Sequence, residues 1–101
     1  MASRLDLQTK LVELLGKKSV YFQPPENLKM EYPAIRYSVS KIESIYANDS
    51  KYSNFTRYEI IVIYNEPTND TARKILELPY SSYDRHYKSD NLNHDVLTLY
   101  F

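Results

Sequence analysis

The stretch FTRYEIIVIY, residues 55–64, places Tyr58, Ile60, Val62 and Tyr64 on one face of an extended strand and Ile61 and Ile63 on the other. Successive side chains of a strand point to opposite faces. A strand that is apolar on both predicts a central position, covered on both sides or covered on one side by another subunit. The chain must therefore build a sheet around this segment and pack something against it.

The flanking segments supply the partners. Ser3 followed by Asp6 reads as a helix start, with a hydroxyl to cap a backbone N–H and an acid in the first turn. Leu7, Leu11, Leu14 and Leu15 then form one stripe of a 3.6-residue helix, and Gly16 supplies a left-handed stop, giving a helix over about 4–15. SVYFQPP reads as a short strand halted by Pro24 and Pro25, because proline gives the ladder no donor. In the next segment Ile35, Tyr37 and Val39 alternate with Arg36, Ser38 and Ser40, a strand with one buried and one wet face. SIYANDSKYSN, 44–54, is rich in Ser, Asn and Asp and predicts a loop or a long hairpin tip.

Past the central strand, Pro67 breaks the pattern. Asn69 or Asp70 caps a short helix whose stripe is Ala72, Ile75 and Leu76, ending before Pro79. The last segment opens with Tyr83, Arg85 and Tyr87 in alternation and turns through SDNLN. It closes with Val96, Thr98 and Tyr100 pointing one way and Leu97, Leu99 and Phe101 the other. The order α-β-β-β-α-β-β predicts a single α+β domain over 1–101, with a mainly antiparallel sheet of about four to five strands and two helices packed on one face.

Composition narrows the chemistry. Thirteen basic and thirteen acidic residues cancel, so the general positive footprint of a nucleic-acid binder is missing. Cysteine is absent, which removes disulfides, thiolate metal sites and cysteine nucleophiles. The single glycine, Gly16, sits at a helix end and cannot build a phosphate loop. No stretch reaches the length of a signal peptide's apolar region or of a membrane span, so the chain reads as soluble and unexported. Eleven tyrosines suit half-buried sheet faces and protein interfaces.

His86, Asp90, His94 and Asp95 are metal-ligand types, but seven residues between the histidines match neither the i, i+4 spacing of a helical site nor a zinc finger. A histidine at a turn donating to backbone or to a neighbouring aspartate is the plainer expectation. Ser81, Ser82, Asp84 and His86 carry the atoms of a hydrolase without a nucleophile-elbow sequence. Aromatic residues interleaved with cations in RHYK and KYSNFTRY give the alternative of a small single-stranded nucleic-acid-binding protein. No enzyme activity, cofactor or metal is expected.

Taken in order, VYFQPPENLKMEYPAIRYSV after a leucine helix, IYANDSKYSNFTRYEIIVIYNEPTND and LPYSSYDRHYKSDNLNHDVLTLYF resemble the tail-terminator or tail-completion family of tailed-bacteriophage neck proteins. The resemblance implies a structural virion protein, assembled in the host bacterial cytoplasm. It implies a self-associated ring, typically a homohexamer, that sits on the tail tube protein, stops tail elongation and offers a docking surface to the head-side connector protein. DNA passes through the lumen of such rings, with no specific nucleic-acid recognition and no membrane. Another connector ring component, for head closure or as an adaptor, is the alternative within the neck. On this reading Tyr46, Asp49, Lys51 and Tyr52 contact an adjacent subunit or the tail tube, and Arg57 and Arg85 form ion pairs that set the register between copies.

Overall fold

The computed structural model describes residues 4–25, 28–47 and 50–101, and over 43–55 the backbone only. The elements are α1 (Arg4–Leu15), β1 (Val20–Phe22), β2 (Ala34–Ala47), β3 (Ser50–Tyr64), α2 (Thr71–Ile75), β4 (Ser81–Ser89) and β5 (Leu92–Tyr100). The strands form one sheet in the order β1-β2-β3-β5-β4, with β1 parallel to β2 and every other pairing antiparallel. The fold is α+β, and β3 is central as its two apolar faces require.

Both helices cover the same face of the sheet. Leu7 and Leu11 of α1 and Ile75 of α2 are fully buried in one cluster with Ile35, Ile60, Val62, Leu97 and Leu99. Leu14 and Leu15 complete the stripe as partly buried residues. Gly16 ends α1 at φ +77, and its N–H donates to the Val12 carbonyl at 2.9 Å, closing the helix in the left-handed conformation that glycine adopts freely. At five residues, α2 is too short to persist on its own hydrogen bonds and is held by the burial of Ala72 and Ile75. Asn69 rather than Asp70 bonds at its start, accepting the Thr71 N–H at 2.8 Å.

Tyr37 ties α1 to the sheet. Its hydroxyl donates to Gln8 Oε1 at 2.6 Å and accepts from Arg4 Nη1 at 3.2 Å, while Gln8 Nε2 donates to the Val20 carbonyl at 3.1 Å. Replacing Tyr37 by Phe is expected to cost about 1–2 kcal/mol, since the ring still packs but Gln8 loses its donor. For a domain of this size that corresponds to a fall in melting temperature of roughly 4–16 °C. A variant that melts with the wild type would show that this junction contributes nothing.

The register decides one expectation and corrects another. Of the loop or long hairpin tip expected for 44–54, the pairing gives the hairpin: β2 runs to Ala47 and β3 starts at Ser50, paired from Lys41↔Arg57 out to Ala47↔Ser50. The turn-forming residues there lie between Ile45, Tyr46, Tyr52 and Phe55, all good strand formers. The alternation of Tyr83, Arg85 and Tyr87 fails, because a register shift makes Asp84 an extra residue between Tyr83↔Leu97 and Arg85↔Val96. A bulge of this kind moves every later side chain of β4 to the opposite face. Tyr83 consequently lies on the helix side, and Arg85 and Tyr87 on the other.

Candidate functional site

Past the last β3–β5 pair, Arg57↔Tyr100, and the Phe101 N–H bond to the Thr56 carbonyl at 3.2 Å, strands β2 and β3 continue as a two-stranded ribbon from Glu43↔Phe55 to Ala47↔Ser50. Tyr46, Lys51 and Tyr52 belong to this arm by backbone position, Tyr46 directly opposite Lys51. Their side chains, and Asp49 altogether, lie outside the described residues. A register shift between Val39 and Lys41 at the arm's base leaves Ser40 as the extra residue. Arg57 is fixed there, its Nε donating to Ser40 Oγ at 3.1 Å while that hydroxyl donates to the Arg57 carbonyl at 3.0 Å.

Arg57 and Arg85 share the face of the sheet away from the helices, in rows set by the register. One row runs Tyr21, Arg36, Ile61, Val96, Arg85, and another Lys41, Arg57, Tyr100. Ala34, Ile63 and Val96 are buried on this face too, apart from the main cluster. Arg85 already holds an ion pair within its own chain, Nη1 to Asp84 Oδ2 at 2.6 Å, and lies 5.7 Å from the Tyr87 ring centre. Tyr87 in turn stacks on its cross-strand partner His94 at 4.6 Å.

On the helix side the ends of β3, β4 and β5 build a polar cluster around Asp95, which is 7% exposed. Its Oδ1 accepts from the Tyr83 hydroxyl at 2.9 Å and lies 2.8 Å from His86 Nδ1. Burial, reinforced by the neighbouring Asp95 carboxylate, pushes Tyr64 up to about 12. Tyr83 is raised for the same reasons, and Tyr58 is raised by burial and by Tyr37, with Arg4 opposing. Beside the carboxylate an open pocket of about 500 Å³ is lined by Tyr64, Pro67, Asn69, Arg73, Tyr83 and Asp95 among others.

The two histidines are on opposite faces of the β4–β5 hairpin. His86 pairs with Asp95 on the helix side, and His94, whose Nδ1 is 3.0 Å from the Leu92 carbonyl, pairs with Tyr87 on the other. The hairpin therefore separates them, and one bonds an aspartate and the other backbone, the plainer of the expectations. Ser81 donates to the Leu78 carbonyl at 2.7 Å and Ser82 shares a 2.6 Å bond with Thr98 Oγ1, so neither hydroxyl is aimed at His86. The convergence of Tyr64 and Tyr83 on Asp95 was not anticipated. Its signal was in the sequence: Asp95 has the parity of Leu97 and Leu99, which places a carboxylate on the core side of its strand. No family model matches the sequence, and no curated protein matches it.

Proposed function

We propose that this chain is a structural protein of a tailed-phage neck, forming a ring on the end of the tail tube, stopping its growth and receiving the head. The observation that carries this reading is the β2–β3 arm. A two-stranded ribbon alone is at best marginally stable in water, because neither face is packed and both edges are open. An arm of this length gains order by lying on a neighbouring copy or on the tube. The role is one of assembly, with no catalytic residue assigned.

The test is to shorten the arm while leaving the core untouched. Replacing residues 45–53 by Asn-Gly joins Ser44 to Asn54, which already pair, through a two-residue hairpin turn. The expected result is a folded protein by circular dichroism and virions with overlong or headless tails by electron microscopy; the pair Tyr46→Ser and Tyr52→Ser should give a milder form of this defect. Normal tails of fixed length joined to heads in the shortened variant would overturn the proposal.

A further inference from the structure

Asp95 carries a carboxylate into the interior without a permanent counterion. It is nearly buried, and among the described residues no lysine or arginine forms an ion pair with it. Tyr83 offers a neutral hydroxyl, and His86, 2.8 Å away, balances the charge only when protonated. A carboxylate taken out of water is costly until a cation completes it. The open pocket of about 500 Å³ is where one can approach, because Asp95 lines it together with Tyr64 and Tyr83. That volume is within the ordinary range of small-molecule sites, about 300–1,000 Å³.

The other wall of the pocket is α2 and its C-cap, which bring Ala72, Arg73 and Leu76 to it. The Arg73 guanidinium holds no ion pair among the described residues, whereas the next residue, Lys74, reaches Asp70 at 3.8 Å. The pocket therefore has an anion on the sheet side, a cation on the helix side, and apolar carbon from Ala72, Leu76 and the tyrosine rings. A matching ligand carries an ammonium, a short alkyl stem and a carboxylate. The ammonium is attracted by tyrosine rings as well as by Asp95. The stem covers apolar wall as the methylenes of a lysine do. A ligand with a cation alone would leave Arg73 unanswered, and one with an anion alone would be repelled by Asp95. We infer that the pocket binds a lysine-like zwitterion, its ammonium on Asp95 beside Tyr64 and Tyr83 and its carboxylate on Arg73. Such chemistry comes from a free amino acid or from the C-terminal lysine of a polypeptide. The inference does not rest on the neck reading, since none of these residues belongs to the β2–β3 arm.

The measurement is an NMR titration of the isotope-labelled full chain at pH 8, where imidazoles are ordinarily neutral, with 6-aminohexanoate as the probe. Saturable shifts at Tyr64, Arg73, Tyr83 and Asp95 are expected, with a midpoint at or below about 1 mM. Hexylamine and hexanoate, which keep one charged end each, should bind about tenfold more weakly. Arg73→Ala should lose about as much, and Lys74→Ala should stay within about twofold of wild type. Arg73→Glu should reverse the preference, rejecting 6-aminohexanoate and accepting 1,6-diaminohexane. Arg73 is exposed, so these variants keep the fold and the inference stays testable even if Asp95→Asn does not fold. A short peptide ending in lysine, bound with its carboxylate free and not when amidated, would assign the site to a polypeptide end; binding of the probe without the peptide would assign it to the free amino acid. No saturable shift up to about 20 mM probe would overturn the inference. So would hexylamine or hexanoate bound as tightly as the probe, or unchanged affinity in Arg73→Ala.

Discussion

A chain truncated after Thr98 and Leu97's row, with Leu99, Tyr100 and Phe101 removed, is expected to lose about 5 kcal/mol of stability and to melt some 20 °C or more below the full protein. Leu99 is fully buried and stands in the row of Tyr58 and Ser81 beneath the helices. Truncating such a leucine to alanine alone costs about 2–5 kcal/mol, through lost transfer energy and the cavity left behind. Two backbone bonds vanish as well, Tyr100 N–H to the Tyr80 carbonyl at 3.1 Å and Phe101 N–H to the Thr56 carbonyl at 3.2 Å. Each contributes about 1 kcal/mol. Since small domains are stable by only about 5–15 kcal/mol, the loss approaches the whole. Leu99→Ala should fall between, and removal of Phe101 alone should cost far less than the full truncation, about 1–2 kcal/mol, because the ring is only partly buried against the cluster and one backbone bond is lost. A truncated chain with an unchanged melting point would show that the end of β5 is a loose arm.

Why the ends of β5 could be read before the fold was known, and the bulge in β4 could not, has a physical basis. Parity along a strand is local: Leu97 and Leu99 on one side and Thr98 and Tyr100 on the other need only the alternation of the pleat. The same holds for the leucine stripe of α1, its glycine stop, and the Asp90-Asn91 turn, whose residues both adopt positive φ, 54 and 63. These are values that Asn and Asp tolerate in a two-residue hairpin. A bulge is a property of two strands in register, so nothing in SSYDRHYKS announces that Asp84 is the extra residue. Tyr80 at φ 62 is similarly unannounced, since a bulky residue seldom takes that conformation.

The candidate surfaces divide in the same way. Arg36, Lys41 and Arg57 are well separated in the sequence, and it is pairing between strands that brings them to one face. The length of the arm was legible as a polar segment between strands, but its turn-forming composition left a loop and a long hairpin equally open until the pairing was seen. Arg85 was expected to look outward to another copy, and in the structure it already has Asp84.

Replacing Asp95 by Leu is expected to destabilise the protein by about 2–3 kcal/mol and to change how it responds to alkali. The carboxylate is nearly buried and is bonded by two groups, Tyr83 and His86, both partly open to solvent. Water can replace Asp95 for these groups in part, so the expected loss is near that of one hydrogen bond to a charged group, about 2–3 kcal/mol. The sign of the pH effect follows from the direction of the shifts. Tyr64 is raised to about 12, and Tyr58 and Tyr83 are raised as well, from an ordinary value near 10. The folded state therefore keeps protons that the unfolded state gives up. The stability these tyrosines contribute is fully present below about pH 10 and is lost as pH rises from about 10 to about 12. In wild type the melting temperature should fall across that window. In Asp95→Leu the carboxylate no longer raises Tyr64 and Tyr83, so the curve should start lower and fall less steeply. The difference between the two slopes is the informative quantity. Melting curves at half-unit steps from pH 8 to 12 would decide it: equal melting at pH 8, or parallel alkaline slopes, would remove Asp95 from the role given to it here.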